Sequence, residues 1–316
     1  MWQEKEGWLL AKDVIIAGIK VMLFPACFKP KLSLASSMIS VCMLLFASCG
    51  TSLSLKNHGS RHSYRVIKDV VYTPESWPEQ LPANIYRPKS NQPTPAVLLV
   101  HGGSWALGDD RHQVSAIARR LARRGYLVMN VTYRMIPEWS YPDLASDLRQ
   151  ALHWLRDHAD ELNVDTRRVG VFGYSAGGQL AAMLGLDGGV PGVRVKAIVA
   201  GSTPHDMTLI AHEDVVKVLL RGTYEEFPRD YQIASPLCNV STTSPPMFLY
   251  HGSKDKVVLP LHTERMQKEL EKKGVRHEVH WVKGRGHVST FLFPGKAIGK
   301  ALNFLDRELV VENTGD

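Results

Sequence analysis

Gly173-Tyr174-Ser175-Ala176-Gly177 lies between a strand-like stretch and a helix-like stretch, and this arrangement decides the fold. The largely apolar run 168–172 precedes it, and the small and apolar residues 178–184 follow it. A strand that turns sharply into a helix lifts the serine between them above the sheet, and the flanking glycines permit the crowded backbone. The turn also places the hydroxyl at the positive end of the helix dipole. The pattern therefore predicts a nucleophilic Ser175, rather than a glycine-rich turn with an incidental serine.

A second glycine-rich turn lies upstream of this elbow. The short apolar run 95–100 indicates a buried strand, and it leads into His101-Gly102-Gly103-Ser104-Trp105. Glycines at such a turn let backbone N–H groups come close to a developing oxyanion. We expect an oxyanion hole in the loop Gly102, Gly103, Ser104, completed by the N–H of Ala176. The sequence does not show whether Gly103 or Ser104 donates the N–H. The alternative to an oxyanion hole is an ordinary strand-to-helix turn.

The candidate acid follows the next strong strand. Residues 246–250 are apolar and lead into His251-Gly252-Ser253-Lys254-Asp255. Asp255 is therefore expected on a loop at the carboxyl end of a strand, where catalytic groups collect in open α/β sheets. A solvent-facing aspartate that caps a turn is the alternative. Its position after the elbow in the chain favours the catalytic interpretation.

The candidate base is chosen from 13 histidines. His287 lies at the end of a glycine-rich stretch, 283–287, after a strand-like segment and before the last predicted helix. Four competitors lie in or beside a strand or at the start of a helix: His251, His262, His277 and His280. A serine hydroxyl needs a base within hydrogen-bond reach, imidazole can move the proton, and a carboxylate fixes the imidazole tautomer. The order Ser175, Asp255, His287 supplies these three groups.

Charge and composition exclude several other classes. The chain has 316 residues, which is near the upper range for a single core, and a net charge of +7. The densest basic cluster has helical spacing and is interpreted as a solvated helix face rather than a nucleic-acid site: Arg119, Arg120, Arg123 and Arg124. The sequence contains no P-loop, GxGxxG, CxxC or HExxH motif. We therefore expect no metal site, no cofactor and no nucleic-acid partner.

The first fifty residues have a different character. Residues 32–46 are mostly apolar or small and uncharged, lysines precede them, and Ala47-Ser48-Cys49-Gly50 closes the run. These are the parts of a secretory signal, and the run is shorter than the roughly 20 apolar residues of a spanning helix. Cys49 after small residues resembles a bacterial lipoprotein signal, although Phe46 stands where that motif usually has leucine. Cleavage near Gly50 with release, and an uncleaved anchor, are the alternatives.

The sequence predicts three parts of the chain. Residues 1–49 form the export segment, residues 50–63 a polar tether, and residues 64–310 the catalytic domain. Met22 as the true start would give the signal an amino-terminal region of ordinary length. If Cys49 is acylated, Cys238 is left without a partner, so no disulfide framework is expected. The predicted location is the cell envelope, with a lipid at Cys49 holding the domain at a membrane surface.

Strand-like and helix-like segments alternate through the domain. Residues 64–72 and 83–86 are expected to form two antiparallel strands at the start. The later strands are predicted near 95–100, 126–133, 168–172, 196–200, 246–250 and 277–282, and the helices near 114–124, 143–161, 178–184, 262–273 and 295–309. Alternation of this kind predicts a doubly wound, mostly parallel sheet covered on both faces, with residues 203–240 as the one long interruption.

These motifs together resemble the small bacterial carboxylesterases of the α/β-hydrolase superfamily, most closely the acetyl xylan and feruloyl esterase-like branch. The resemblance rests on His101 to Trp105, Tyr133-Arg134, Tyr141-Pro142, Asp147, the elbow with Gly178, Ala234-Ser235-Pro236, His251-Gly252 with Asp255, and Gly286-His287. It implies an α/β-hydrolase fold with a short cap insertion and ester hydrolysis through an acyl-enzyme, with no cofactor. The triad carries over onto Ser175, Asp255 and His287, and the oxyanion loop onto Gly102 to Ser104.

Two positions depart from the related hormone-sensitive-lipase branch. Ser104 replaces the third loop glycine, and Tyr174 stands where that branch often has aspartate. Trp105 and Tyr174 are the candidate substrate-binding residues. For Trp105, lining an acyl pocket and simple packing are both open.

The expected reaction is hydrolysis of esters with short or medium acyl groups, on a small molecule or on acetylated or feruloylated polysaccharide. Short acyl groups are favoured because the segment 203–240 offers few apolar side chains for a long acyl channel. A serine peptidase of the prolyl-oligopeptidase type shares such a core, but no propeller fits between residue 49 and the first strands. A non-catalytic surface-binding protein with the same fold is the third alternative.

Overall fold

A mixed, mainly parallel sheet runs through residues 62–107 and 111–310, the part of the chain that the computed structural model describes. Its strand order is β1-β2-β4-β3-β5-β7-β8-β9, and the short β6 pairs with β7. The strands are β1 Tyr64–Val71, β2 Pro82–Pro88, β3 Thr94–Val100, β4 Leu127–Val131, β5 Val164–Tyr174, β6 Gly189–Val190, β7 Val193–Gly201, β8 Met247–Gly252 and β9 His277–Val282. β2 pairs antiparallel with β1 and with β4, and β6 pairs antiparallel with β7. The pairs β4–β3, β3–β5, β5–β7, β7–β8 and β8–β9 are all parallel.

Helices cover both faces of this sheet. They are α1 Ser115–Arg123, α2 Tyr141–Asp157, α3 Ala159–Leu162, α4 Ala176–Leu186, α5 Asp214–Leu219, α6 Pro228–Ile233, α7 Leu261–Lys272, α8 His287–Leu292 and α9 Ala297–Leu309. Helices α2, α4 and α7 contribute to the core on one face. Helices α1 and α9 contribute to the core on the other. The predicted two-sided, mostly parallel architecture is confirmed.

The central strands are buried on both faces, which explains their continuous apolar sequences. Every residue of β3 is buried, and so is every residue of β4. Their side chains alternate between the two cores: Leu98 packs on the α2 and α4 side and Val97 on the α1 and α9 side. A strand covered on both faces loses the polar alternation of a half-exposed strand, because neither face meets water.

A buried ion pair joins the end of β4 to α2. The Arg134 guanidinium contacts the Asp147 carboxylate at 2.8 Å, and both side chains are almost fully buried. The indole N–H of Trp77 donates to the same carboxylate at 2.8 Å, and the guanidinium lies 4.3 Å from the ring centroid of Trp139. Hydrogen bonds satisfy the buried charges, so this pair holds the loop after β4 and is a structural feature.

The segment between β7 and β8, predicted only as a long interruption of the alternating pattern, has regular structure of its own. It contains the short helices α5 and α6 and two 3₁₀ turns, Met207–Ile210 and Pro236–Asn239. The segment packs onto α4, since the Gln179 side-chain amide donates to the carbonyl oxygen of Ala234 at 2.7 Å. Its apolar residues Val216 and Leu219 are fully buried in the core.

Two local expectations differ from the structure. The predicted helix 143–161 is divided, because α2 ends at Asp157 and the one-turn α3 follows. His287 was expected in a loop, but it is the first residue of α8. Neither six-residue α8 nor four-residue α3 is long enough to give a clear apolar period in the sequence.

The predicted export segment 1–49, the lipid site at Cys49 and residues 50–61 of the predicted tether lie outside the described residues. Cys238 is an exposed free cysteine. Within residues 62–107 and 111–310, no helix is long and apolar enough to span a membrane.

Candidate active site

The turn from β5 into α4 carries Ser175 in a strained conformation. Its backbone has φ 56° and ψ −126°, and Ala176 begins α4. A serine with positive φ is costly unless the surroundings enforce it, and such strain clusters at functional sites. Here the Ser175 N–H donates to the carbonyl oxygen of Gly201 at 2.8 Å, which fixes the turn to β7. The side chain remains partly exposed, as a nucleophile requires.

The elbow is packed so tightly that two of its glycines have no room for a side chain. A Cβ atom on Gly173 would lie 2.1 Å from the carbonyl oxygen of Gly177. A Cβ atom on Gly177 would lie 2.1 Å from the carbonyl oxygen of His101, in the upstream glycine-rich loop. The two glycines thus explain the G-x-S-x-G pattern by close approach of the backbone.

The structure brings Ser175, His287 and Asp255 together in one hydrogen-bonded chain. His287 Nε2 lies 2.9 Å from Ser175 Oγ, and His287 Nδ1 lies 2.8 Å from Asp255 Oδ2. A carboxylate oxygen only accepts, so Nδ1 carries the proton and Nε2 can accept the proton of the serine hydroxyl. This is the tautomer that base catalysis on Ser175 requires.

Asp255 is held in place by the loop after β8. Its Oδ1 accepts hydrogen bonds from the backbone N–H groups of Val257 and Val258, both at 3.0 Å, and the side chain is buried. Burial raises the pKa of Asp255, but hydrogen bonds from His251 and His287 outweigh it and hold the pKa below its usual range. Asp255 therefore stays ionised and fixes the orientation of the imidazole.

The predicted oxyanion loop lies directly against the nucleophile. A Cβ atom on Gly102 would be 3.4 Å from the Ser175 Cβ atom. The next three residues all have positive φ: Gly103 at 128°, Ser104 at 52° and Trp105 at 58°. The loop is tied down by hydrogen bonds from Leu107 N–H to the Gly103 carbonyl and from Ile136 N–H to the Trp105 carbonyl. Fixed strain at this place supports a pre-arranged oxyanion site with Ala176, the first residue of α4.

The two candidate substrate-binding side chains are both buried. The Trp105 indole N–H donates to Gln179 Oε1 at 3.1 Å, so its ring packs in the core. The Tyr174 hydroxyl donates to the backbone carbonyl of His287 at 2.7 Å, and its ring lies 5.3 Å from the His287 ring. This geometry favours packing for Trp105 and support of the His287 backbone for Tyr174, rather than contact with substrate.

One residue near the site was overlooked in the sequence because only a base was sought among the histidines. His251 Nε2 lies 3.5 Å from Asp255 Oδ2 and 2.8 Å from the carbonyl oxygen of Val258. A signal was present, since a histidine at a strand end four residues before the acid must lie close to the loop that carries it. Among the described residues, no group of three or more His, Cys, Asp or Glu side chains could hold a metal ion.

The fold and this geometry define an α/β-hydrolase with a serine elbow, a His–Asp pair and an adjacent strained glycine loop. The sequence model of the BD-FAE family matches residues 83–270. Because this match covers more than half of the chain, the protein belongs to the BD-FAE family.

Curated relatives carry names that describe ester hydrolysis. The chain is 29% identical over 233 residues to Esterase LipC of Mycobacterium tuberculosis, a match that covers 66% of this chain and 57% of that protein. It is 38% identical over 108 residues to an arylesterase of Saccharolobus solfataricus, covering 34% of this chain and 35% of that protein. The chain spans about half the length of the first curated relatives it matches.

Solved structures share the fold at lower identity. A truncated carbohydrate esterase from gut microbiota superposes with a TM-score of 0.69 at 21% identity, covering 80% of this chain and 99% of that one. An acetyl ester-xyloside bifunctional hydrolase from Caldicellulosiruptor lactoaceticus gives a TM-score of 0.63 at 22% identity, covering 80% and 98%. These similarities support the α/β-hydrolase fold.

Proposed function

We propose that this protein hydrolyses carboxylic esters of short or medium acyl groups through an acyl-enzyme. The observation that carries the proposal is the hydrogen-bonded chain from Ser175 through His287 to Asp255, on a strained turn beside the glycine loop. The esterase names of the sequence relatives agree with it. No cofactor takes part in this chemistry.

The geometry assigns one task to each group. Ser175 Oγ attacks the ester carbonyl while its proton passes to His287 Nε2, and the oxyanion faces the N–H groups of the glycine loop and Ala176. The C–O bond to the alcohol then breaks, and His287 returns the proton to the departing alcohol oxygen. Water, deprotonated by His287, attacks the acyl-enzyme, releases the carboxylic acid and restores Ser175.

The acyl group is proposed to be short because several apolar residues of the segment between β7 and β8 are used by the core. Among the residues of this segment, all of which the structure describes, Phe227 and Ile233 are the only exposed large apolar side chains. Val216, Leu219 and Leu220 are buried in the core and do not face a substrate channel. A lipase needs an extended apolar channel for its acyl chain. We expect acetyl and butyryl esters to be hydrolysed faster than long-chain esters.

We further propose acetylated or feruloylated polysaccharide as the substrate. The support is the likeness in fold to a carbohydrate esterase and to an acetyl ester-xyloside hydrolase. One panel of substrates tests both the ester hydrolysis and the polysaccharide. It contains chromogenic esters of increasing acyl length, acetylated and feruloylated glycans, and aminoacyl amides. Ester turnover without glycan turnover would remove only the polysaccharide. Amide turnover alone would favour a peptidase, and no turnover would favour a binding protein.

We also propose that the protein is exported and held at a membrane surface by lipid on Cys49. The support is the short uncharged run 32–46, the lysines before it and the small residues before the cysteine. Diacylation supplies the two chains that stable anchoring needs. Fatty-acid labelling in a host that processes lipoproteins, with Cys49→Ala as the control, tests this. An unlabelled protein whose mature amino terminus is not Cys49 would contradict it.

A further inference from the structure

A second imidazole contacts the acid of the site. His251 lies in β8, next to its last residue, and its side chain is fully buried beside Trp281, with the two ring centroids 6.0 Å apart. The proposed ester hydrolysis uses only His287, so this buried titratable group has no task in the mechanism described above.

The hydrogen bonds of His251 define its tautomer. Its Nε2 lies 2.8 Å from the carbonyl oxygen of Val258, which can only accept, so Nε2 carries the proton. Its Nδ1 lies 2.7 Å from Thr263 Oγ1, in the first turn of α7, and therefore accepts the hydroxyl proton. The ring thus joins the end of β8, the loop that carries Asp255 and the start of α7.

The Nε2–H group of His251 also lies 3.5 Å from Asp255 Oδ2, the oxygen that accepts from His287. Oδ1 of the same carboxylate accepts from the N–H groups of Val257 and Val258. The carboxylate therefore has four N–H neighbours, and His251 supplies the one nearest to the bond with His287. A buried carboxylate surrounded by oriented N–H dipoles keeps both its charge and its position.

We propose that His251 is a positioning residue of the catalytic machinery. Its Nε2–H holds the loop after β8 through Val258 and keeps Asp255 Oδ2 aligned on His287. The inference rests on the proposed ester hydrolysis, because its effect is felt only through Asp255. Besides Asp255, the titratable side chains that interact electrostatically with His251 are His205 after β7 and His262 in α7, and His262 in turn lies near Asp206 and Arg265.

His251→Leu and His251→Gln form the test pair. Leucine removes the N–H donor, whereas the glutamine side-chain amide can place an N–H near the position of Nε2. We expect kcat of the leucine variant to fall about 10- to 100-fold with KM within about twofold, because small displacements of catalytic groups cost rates of this order. Because His287 must be neutral to act as the base, we expect the rate of the wild type to rise with pH through one ionisation. In the leucine variant the midpoint of this rise should move to lower pH, since a poorly aligned carboxylate stabilises the imidazolium less. The glutamine variant should recover most of kcat.

His262→Leu is the matched control. His262 is equally buried and lies next to Thr263, and its Nδ1 accepts from the Asp206 N–H at 3.3 Å rather than contacting Asp255. The His262→Leu variant should be less stable than the wild type but keep its kcat and the pH midpoint of its rate. Thr263→Val leaves His251 in place and removes the hydrogen bond to its Nδ1. This variant should give a smaller loss of kcat, and it replaces His251→Leu in the test if the leucine variant does not fold.

A double-mutant cycle with Asp255→Asn decides whether His251 acts through the acid. If it does, His251→Leu costs under about twofold in the Asp255→Asn background, because the aligned carboxylate is already absent. Three results would overturn the inference and leave the proposed function intact. They are an equal fall in kcat on His251→Leu in both backgrounds, a pH–rate midpoint that does not move, and a kcat of the glutamine variant no higher than that of the leucine variant. A wild-type protein without turnover of any ester would instead overturn the proposed function and this inference with it.

Discussion

Replacing Asp255 by asparagine should stop catalysis without disturbing the fold. In the structure Oδ1 accepts two backbone N–H groups, those of Val257 and Val258. An asparagine must therefore turn its carbonyl oxygen to that side, because the opposite orientation would set an NH₂ group against two donors. Each unsatisfied buried donor costs about 1–3 kcal/mol. The two backbone N–H groups cannot change tautomer, whereas His287 can move its proton to Nε2, so the orientation with the oxygen toward the backbone is favoured.

The NH₂ group then faces His287 Nδ1, which lies 2.8 Å from the Oδ2 atom it replaces. It donates to Nδ1, so the neutral imidazole carries its proton on Nε2 instead. That proton points at Ser175 Oγ, 2.9 Å away, and the ring can no longer accept the serine proton. The productive tautomer would have to set two donors against each other, at a cost of roughly 4–5 kcal/mol. This corresponds to a fall in kcat of about 10³- to 10⁴-fold.

The assay is steady-state hydrolysis of a chromogenic acetyl ester, with kcat and KM measured separately and folding checked by circular dichroism. KM should change little, because Asp255 does not contact substrate. Asp206→Asn is the matched control, since Asp206 is another buried loop acid that contacts Thr208 and Arg265. An Asp255→Asn variant within tenfold of the wild type, or a larger loss in Asp206→Asn, would refute the assignment.

Three further predictions concern the elbow, a buried imidazole and a buried tyrosine. Ser175→Ala and Ser175→Gly should both lose ester turnover by more than about 10²-fold. Only glycine should raise the free energy of unfolding, by about 1 kcal/mol in urea titrations, because it relieves the positive φ; equal stability of the two variants would argue against strain. Burial lowers the pKa of His262 to about 4, below the unfolded value of about 6.5, so its neutral form stabilises the fold above that value. Of the stability lost in thermal unfolding as the pH falls from 6.5 to 4, His262 should account for about 3 kcal/mol. His262→Gln should remove that part of the loss, and an unchanged pH dependence in the variant would contradict the argument. Tyr174→Phe should lower kcat about tenfold with KM unchanged, because it removes the donor to the His287 carbonyl; a raised KM instead would point to contact with substrate.

The parts of the fold that could be predicted from the sequence were those with strong local signals. Strand β3 was recognisable because burial on both faces produces a continuous apolar run. The elbow was recognisable because close backbone contacts at Gly173 and Gly177 leave no alternative to glycine. The order of the motifs along the chain was sufficient to predict that Ser175, Asp255 and His287 act together.

The contacts that the sequence could not predict are made between distant segments. The Tyr174 hydroxyl reaches a carbonyl 113 residues away, and Trp105 reaches an amide 74 residues away. Nothing in the neighbouring residues distinguishes a buried ring of this kind from one that lines a pocket. His251 was missed for a different reason: its position four residues before Asp255 was a signal in the sequence, but only a base was sought among the histidines.

Ser175 and His287 are 112 residues apart, and the imidazole lies on the short helix that follows the edge strand β9. During synthesis, the nucleophile and the glycine loop therefore leave the ribosome well before the group that activates them. A chain that stops before residue 287 could fold much of its sheet and still lack the base. Ester turnover then reports that the carboxy-terminal part has been made and has docked. The same separation offers a place to divide the protein, in the loop between β9 and α8, for complementation experiments in which two inactive fragments restore turnover.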